Sequence, residues 1–283
     1  MSRSYWRRWS VNTEFDPEEI DSHLLEDIES ATHPSRFEAG EGHTVLILRL
    51  PETVGEGLGI VSYAFVLKDG HCYRYDRESG RFVSVGGLEE LHRFLDGKTD
   101  RLLRQIQSYH FEIESLEEGL YDEGLSSGFM ERWLAYKKDV SLIHRLMFHA
   151  VLAFELFIRR HRKESGYGQM AYADLLEHMG RIRDLARSAI EKLDNLYDFY
   201  RAKVDERMNR NMYLLTVLSA IFLPLTLVTA FFGMNTGGLP YTDDPDGTLK
   251  AVLISLALEA VLITPFLLYG RRKIRRFRPK RID

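Results

Sequence analysis

The residues best suited to chemistry gather at the end of a long apolar stretch. Gly233-Met234-Asn235 closes the uncharged run 212–232 (MYLLTVLSAIFLPLTLVTAFF). The carboxamide of Asn235 is a neutral acceptor. Its oxygen can accept from water, including water bound to a cation, without adding charge. Gly233 permits a tight approach where the helix ends, and Met234 is read as packing rather than ligating. The following loop carries Asp243, Asp244 and Asp246. These carboxylates form either a field that enriches cations and weakens with salt, or a solvated polar turn. Glu259 interrupts a second apolar run, 251–269 (AVLISLALEAVLITPFLLY). A charged, unpaired acid near the centre of a span costs roughly 2.5–3.5 kcal/mol on insertion scales. Glu259 is therefore read as neutral or protein-facing, either as an interspan hydrogen-bond group or as a proton-responsive one.

Membrane-length helices must position these groups. At about 1.5 Å rise per residue the first run covers roughly 30 Å, the thickness of a bilayer core. The second run follows after a short loop, so the pair reads as a membrane hairpin. The mean hydropathy of −0.25 hides it, because a long polar region precedes both runs. A net charge of −4 excludes a general nucleic-acid binder. The lone Cys72 excludes an intramolecular disulfide framework and fits a reducing cytosol. The opening MSRSYWRRWSVNTEF lacks the apolar core of a signal peptide, so the region ahead of the hairpin is expected to stay in the cytoplasm. Basic residues follow the second run (Arg271, Arg272, Lys273, Arg275, Arg276, Arg278, Lys280, Arg281) and precede the first (Arg201, Lys203, Arg207, Arg210). Both termini are thus predicted inside and the loop 233–250 outside. The basic tail 270–283 is also suited to anionic lipid headgroups.

Ahead of the hairpin, 1–98 reads as a small α/β domain. Strands are predicted at 44–50, ended by Pro51, at 61–67 and 72–75 across the turn Lys68-Asp69-Gly70, and at 81–85. A short helix over 88–95 is expected to stop near Gly97. Residues 99–168 read as helical segments, 100–122 and 129–163, broken by glycine-rich stretches. A stalk helix over 169–211 runs on into the first span at 212–232, giving one helix of about 64 residues and about 95 Å. Its seam repeats every seven residues, with Leu175, Ile182, Ala189 and Leu196 in one row and Met179, Ala186, Leu193 and Tyr200 in the other. Such a helix is stable only if the seam is buried, against the preceding segments or against other copies of the chain. Glu177, Asp184, Glu191, Asp198 and Asp205 make an acidic stripe off the seam, either a cation-attracting surface or a solvated face with local arginine pairs. The histidines do not assemble a ligand set: His144 and His149 share no face, and His71-Cys72 lacks further ligands. No phosphate-binding loop, nucleophile elbow or dinucleotide fingerprint is present. Neither an enzyme nor a cofactor is expected.

A soluble domain, helical segments, one very long helix and two C-terminal spans resemble the CorA superfamily of divalent-metal transporters. Gly233-Met234-Asn235 matches the family signature at the outer end of the first span, and Pro224-Leu225-Thr226 its proline-leucine-threonine within that span. The loop Thr236-Gly237-Gly238-Leu239-Pro240, with Tyr241 where the magnesium branch carries an acid, is similar to the zinc-associated ZntB branch. The resemblance implies an α+β membrane protein of the inner membrane, assembled as a homopentameric funnel. It places Asn209, Met212, Thr216, Ala220, Leu223, Leu227 and Ala230, spaced three or four apart, on the pore lumen. Asn209 and Thr216 would form polar rings; Met212 and Leu223 would form apolar constrictions that gate by dewetting. Gly233, Met234 and Asn235 become the selectivity filter, with Asn235 meeting a hydrated ion. The implied partners are copies of the chain, membrane lipids and divalent cations, zinc or magnesium and also cobalt or nickel, as substrate. The rival reading is a membrane-anchored cytoplasmic scaffold or sensor whose hairpin does not conduct.

Overall fold

A computed structural model describes residues 15–17, 20–55, 57–122, 128–164, 168–234, 240 and 244–276, with side chains beyond 258 described at 260, 261 and 264. The elements are α1 (Ser22–Glu29), β1 (Arg36–Ala39), β2 (His43–Val54), β3 (Gly57–Lys68), β4 (His71–Asp76), β5 (Arg81–Gly86), α2 (Leu88–Asp122), α3 (Phe129–His161), α4 (Gln169–Phe232) and α5 (Gly247–Arg276). They divide into two compact units, Met1–Tyr200 and Arg201–Asp283, and α4 contributes to both.

The sheet is an antiparallel meander in the order β1-β2-β3-β4-β5, so the N-terminal region is α+β rather than α/β in its connections. The turn predicted between β3 and β4 is present: Asp69 and Gly70 take φ of 50° and 77°, the left-handed pair of a two-residue hairpin loop. β2 does not stop at Pro51 but runs on to Val54, with Pro51 opposite Ile60. The reason lies in the edge. The N–H of Arg49, two residues earlier and so on the same side of the strand, points away from β3 to Ser35 Oγ at 2.8 Å. β1 ends its pairing at Ile47, so the donor that Pro51 lacks would have met no strand.

The near-continuous apolar run of β2 reflects burial on both faces. Leu46, Leu48, Leu50, Phe65 and Leu67 face a core shared with α2, α3 and α4. Val45, Ile47, Ala64, Val66, Tyr73 and Phe82 face Leu24 and Ile28 of α1 together with Phe15 and Ile20.

The helix expected to stop near Gly97 continues for 35 residues. Glycine in a helix interior costs about 1 kcal/mol relative to alanine. The buried series Leu91, Leu95, Thr99, Leu102, Ile106 and Ile113 runs straight through this point, and its packing outweighs that cost. The helix predicted from about 169 to 232 is α4. Its seam residues from Leu175 to Leu196 are all buried, and they sit in one core with Leu102 and Ile106 of α2 and Met147 and Phe154 of α3. Of the two partners open to the seam, the preceding segments of the same chain fill it.

Polar pins fix the register. His92 Nε2 donates to Ala171 O at 3.0 Å and His110 Nε2 to Leu185 O at 3.1 Å. Trp133 Nε1 donates to Leu193 O at 2.8 Å, and the Tyr172 hydroxyl to Leu88 O at 2.6 Å. Among the described residues, two helices are long and apolar enough to cross a membrane, α3 and α4. In α3, 44 % of the most apolar window is buried within the folded unit, against 6 % in α4. α3 is therefore a core helix, and α4 carries the unshielded apolar stretch.

Candidate functional site

In the Arg201–Asp283 unit, α4 shows one shielded stripe. Val217, Ala220, Ile221, Leu225, Val228 and Phe232 are half-buried and Pro224 is buried, three or four residues apart, while the remainder of 204–232 is exposed. Of the residues predicted on one functional face, Asn209, Met212, Thr216, Leu223, Leu227 and Ala230 are exposed, Leu223 by 71 %; Ala220 instead falls in the shielded stripe. The chain's own packing leaves this face uncovered. Tyr213, Leu214, Leu218 and Phe222 are uncovered as well.

The hydroxyls along this helix turn back on their own backbone. Thr216 Oγ1 donates to Met212 O at 2.9 Å, Thr226 to Phe222 O at 2.7 Å and Thr229 to Leu225 O at 3.0 Å. This back-bonding satisfies each hydroxyl in an apolar setting and leaves the oxygen lone pairs of Thr216 available as acceptors. Pro224 lies inside α4 and has no N–H for the carbonyl of Ala220.

The helix closes at Gly233, whose N–H donates to Thr229 O at 2.9 Å, followed by Met234 N to Phe231 O at 3.4 Å. A Cβ on residue 233 would lie 3.0 Å from Thr229 O, and Gly233 is not among the residues with positive φ. Close approach, rather than left-handed geometry, is what calls for glycine here. Asn235 and Asp243 lie outside the described residues, as does the side chain of Glu259 in α5. In the loop, Asp244 Oδ1 accepts from Asp246 N at 3.0 Å, and its other oxygen pairs with Lys250. The Lys250 hydrogen bond, followed by the Asp246 amide, holds the Asp244 carboxyl below the ordinary carboxylate range. One of the three loop aspartates thus has its own cation.

On the acidic stripe, Glu177, Asp184, Glu191, Asp198 and Asp205 are exposed. Asp184 pairs with Arg183 at 2.8 Å and Glu191 with Arg187 at 3.0 Å, and the Arg183 hydrogen bond leads the lowering of the Asp184 carboxyl. Cys72 is buried, which pushes its thiol pKa up and makes it a poor ligand. The histidine pairs weighed from sequence form no ligand set among the described residues. One set does form elsewhere: ligand atoms of Asp96, Asp100 and His178 lie within 4.8 Å of one another. The one-turn spacing of the two aspartates was the only sequence signal, because α2 and α4 bring His178 to them from 78 residues away.

An antiparallel sheet backed by long helices, the last of which runs on as an uncovered apolar helix, defines an α+β protein built for a membrane. The family model described as "CorA-like Mg2+ transporter protein" matches residues 73–273, and the chain belongs to that family. Among curated relatives, the divalent cation transporter CmaX of Pseudomonas aeruginosa is 41 % identical over 64 residues, 23 % of this chain and 19 % of that protein. The zinc transport protein ZntB of Yersinia enterocolitica is 28 % identical over 186 residues, 65 % of this chain and 56 % of its own length. The magnesium transport protein CorA of Pectobacterium atrosepticum is 25 % identical over 270 residues, 88 % of this chain and 82 % of its own length. The solved CorA magnesium transporter of Methanocaldococcus jannaschii superposes with a TM-score of 0.70 at 21 % identity, over 90 % of this chain and 84 % of that one. The full-length CmaX structure gives 0.68 at 19 % identity, over 90 % and 82 %. These likenesses establish the fold.

Proposed function

We propose that this chain carries divalent metal cations across the inner membrane as a homopentamer, with residues 212–232 of α4 lining the pore and 251–269 forming the second span. The observation that carries the reading is the exposed face of α4. A contiguous apolar surface of this size is not left in water. Lipid covers part of it, and copies of the chain arranged about an axis enclose the face of Asn209, Met212, Thr216, Leu223, Leu227 and Ala230. A single two-span hairpin cannot enclose a pore, so conduction requires assembly. Asn235 supplies a ring of amide oxygens that meets the ion with its water shell intact. Met212 and Leu223 narrow the path, and an apolar ring of this kind gates by dewetting. Both termini lie in the cytoplasm, in keeping with the lysines and arginines that flank the two spans. At the outer mouth, Asp243 and Asp246 attract cations, while Lys250 offsets Asp244 in each chain.

The test is uptake into liposomes containing the purified chain, with zinc, magnesium, cobalt and nickel in competition, with and without a pH gradient. Wild-type protein is expected to take up divalent ions selectively. Asn235→Ala is expected to lose that selectivity while keeping its oligomer mass by light scattering. Well-formed pentamers without flux would instead establish an anchored scaffold.

A further inference from the structure

The face of the sheet that carries α1 holds two arginines with no acid to answer them. Along β2 and β3 the side chains alternate: Leu48 and Leu50 face the core shared with α2, α3 and α4, while Ile47 and Ala64 face α1. Arg49 and Ser62 keep the parity of the second pair and so lie on the α1 face. They are directly opposite one another, with Cβ atoms about 5 Å apart by strand geometry. Arg77, just past β4, donates through Nη2 to the Ser62 hydroxyl at 3.0 Å. Both guanidinium groups therefore gather around one serine. Their other bonds lead to the end of α1: Arg77 donates to Ile28 O at 2.8 Å and Ser30 O at 3.2 Å, and Arg49 to Thr32 O at 2.8 Å.

These carbonyls satisfy individual N–H groups but carry no net charge. Among the described residues neither arginine has an ion pair. Asp27 of α1 and Glu38 of β1 pair with Arg36 instead, at 3.0 and 2.6 Å. The Nε of Arg49 and that of Arg77 are each closed off from solvent without an acceptor, so each has lost its water without compensation. Burial lowers the Arg77 pKa below the ordinary arginine value, as it does for a cation taken from water without a counter-charge. The two like charges also repel. Donors remain to meet an anion. Arg49 uses one of its five N–H groups on a protein acceptor, and the Ser62 hydroxyl, accepting from Arg77, keeps its own proton to donate.

We propose that Arg49, Arg77 and the Ser62 hydroxyl bind a phosphate group on the α1 face of the sheet. Guanidinium forks match the paired oxygens of a phosphate in a way that a spherical anion does not exploit, and a doubly charged phosphate answers both cations. Free phosphate and the terminal phosphate of a nucleotide share this chemistry. The site lies within the Met1–Tyr200 unit and does not depend on the transport reading.

The experiment is calorimetric titration of the full chain in detergent, in phosphate-free buffer at low salt, with inorganic phosphate in one arm and ATP in the other. The expected result is saturable binding of one equivalent per chain that chloride at the same concentration does not displace. A tighter phosphate arm identifies the free ion as the ligand, and a tighter ATP arm identifies a nucleotide. In Arg49→Gln the affinity falls by roughly 10–100-fold, the loss of a hydrogen bond between charged groups. Ser62→Ala keeps all three carbonyl bonds to the end of α1, so it guards against misfolding of the first variant, and it too binds more weakly. The bound ligand raises the thermal midpoint of the wild type more than that of either variant. The absence of a saturable phase in both arms overturns the proposal, as does unchanged affinity in either variant or chloride that competes as strongly as phosphate. Metal uptake into liposomes is measured on the same protein, so a chain that transports metal and binds no phosphate refutes this inference alone.

Discussion

Ile182→Ala measures how firmly α4 is held by its own chain. Ile182 is fully buried, and so are Ala186 and Ala189, which follow it along the seam. The substitution removes three carbon groups, worth about 0.8 kcal/mol each in transfer, or about 2.4 kcal/mol. Ala186 and Ala189 have no side chain long enough to collapse into the gap. The cavity term therefore adds, for a total of about 3–4 kcal/mol, within the range seen for such truncations. Urea unfolding of the full chain in detergent, followed by Trp133 emission, is the assay. Trp133 donates to Leu193 O at 2.8 Å and so reports the same helix contact, with Trp6 and Trp9 replaced by phenylalanine. Val204→Ala, at a site 36 % exposed, is the control, expected to cost less than about 0.5 kcal/mol. A loss under about 1 kcal/mol for Ile182→Ala would lie below the range for burial within the chain. That result, or a loss that varies with protein concentration, would refute the reasoning and point to a seam filled by other copies.

Leu223→Asn should increase flux with assembly unchanged, because Leu223 is 71 % exposed in the chain and a hydrated ring no longer dewets; unchanged or lower flux in well-assembled protein places the constriction elsewhere. Lys250→Ala removes the main cause of the lowered Asp244 pKa, so the carboxyl should titrate closer to the ordinary carboxylate range by NMR. The contribution of that ion pair to the loop is present above the ordinary value and disappears as pH falls through the lowered one. The same variant should raise cation uptake at low ionic strength, an effect that fades as salt screens the freed aspartate. Glu259→Gln keeps a hydrogen-bond donor and should assemble normally. A flattened pH profile of flux in that variant identifies a proton-responsive group, and an unchanged profile identifies an interspan hydrogen bond.

What could be read from the sequence was whatever local pattern determines. The seven-residue seam, the bounds of α4 and the Asp69-Gly70 turn depend on periodicity or on one residue's backbone freedom. Pro51 and Gly97 were read as stops because each has a local cost. They are tolerated because of what lies beside them: an open strand edge in one case, and a buried helix face that continues in the other. Spacing grouped Asn209, Met212, Thr216, Ala220, Leu223, Leu227 and Ala230 on one face of α4, but Ala220 lies on the shielded side, a difference of less than one turn that spacing alone does not resolve. The Asp96, Asp100 and His178 set could not be read, since its members meet only through the parallel run of α2 beside α4.

The pins between helices carry a further consequence. Ala171, Leu185 and Leu193 are held through main-chain oxygens rather than through their side chains. A carbonyl has the same chemistry whatever residue bears it, so the outward side chains of α4 can change freely without loosening these contacts. Adding or deleting one residue is a different matter. It would rotate everything beyond it by about 100°, carrying the later carbonyls away from His110 and Trp133 while His92 kept its own. Between residues 171 and 193, α4 should therefore accept many substitutions at its outward positions and no change of length.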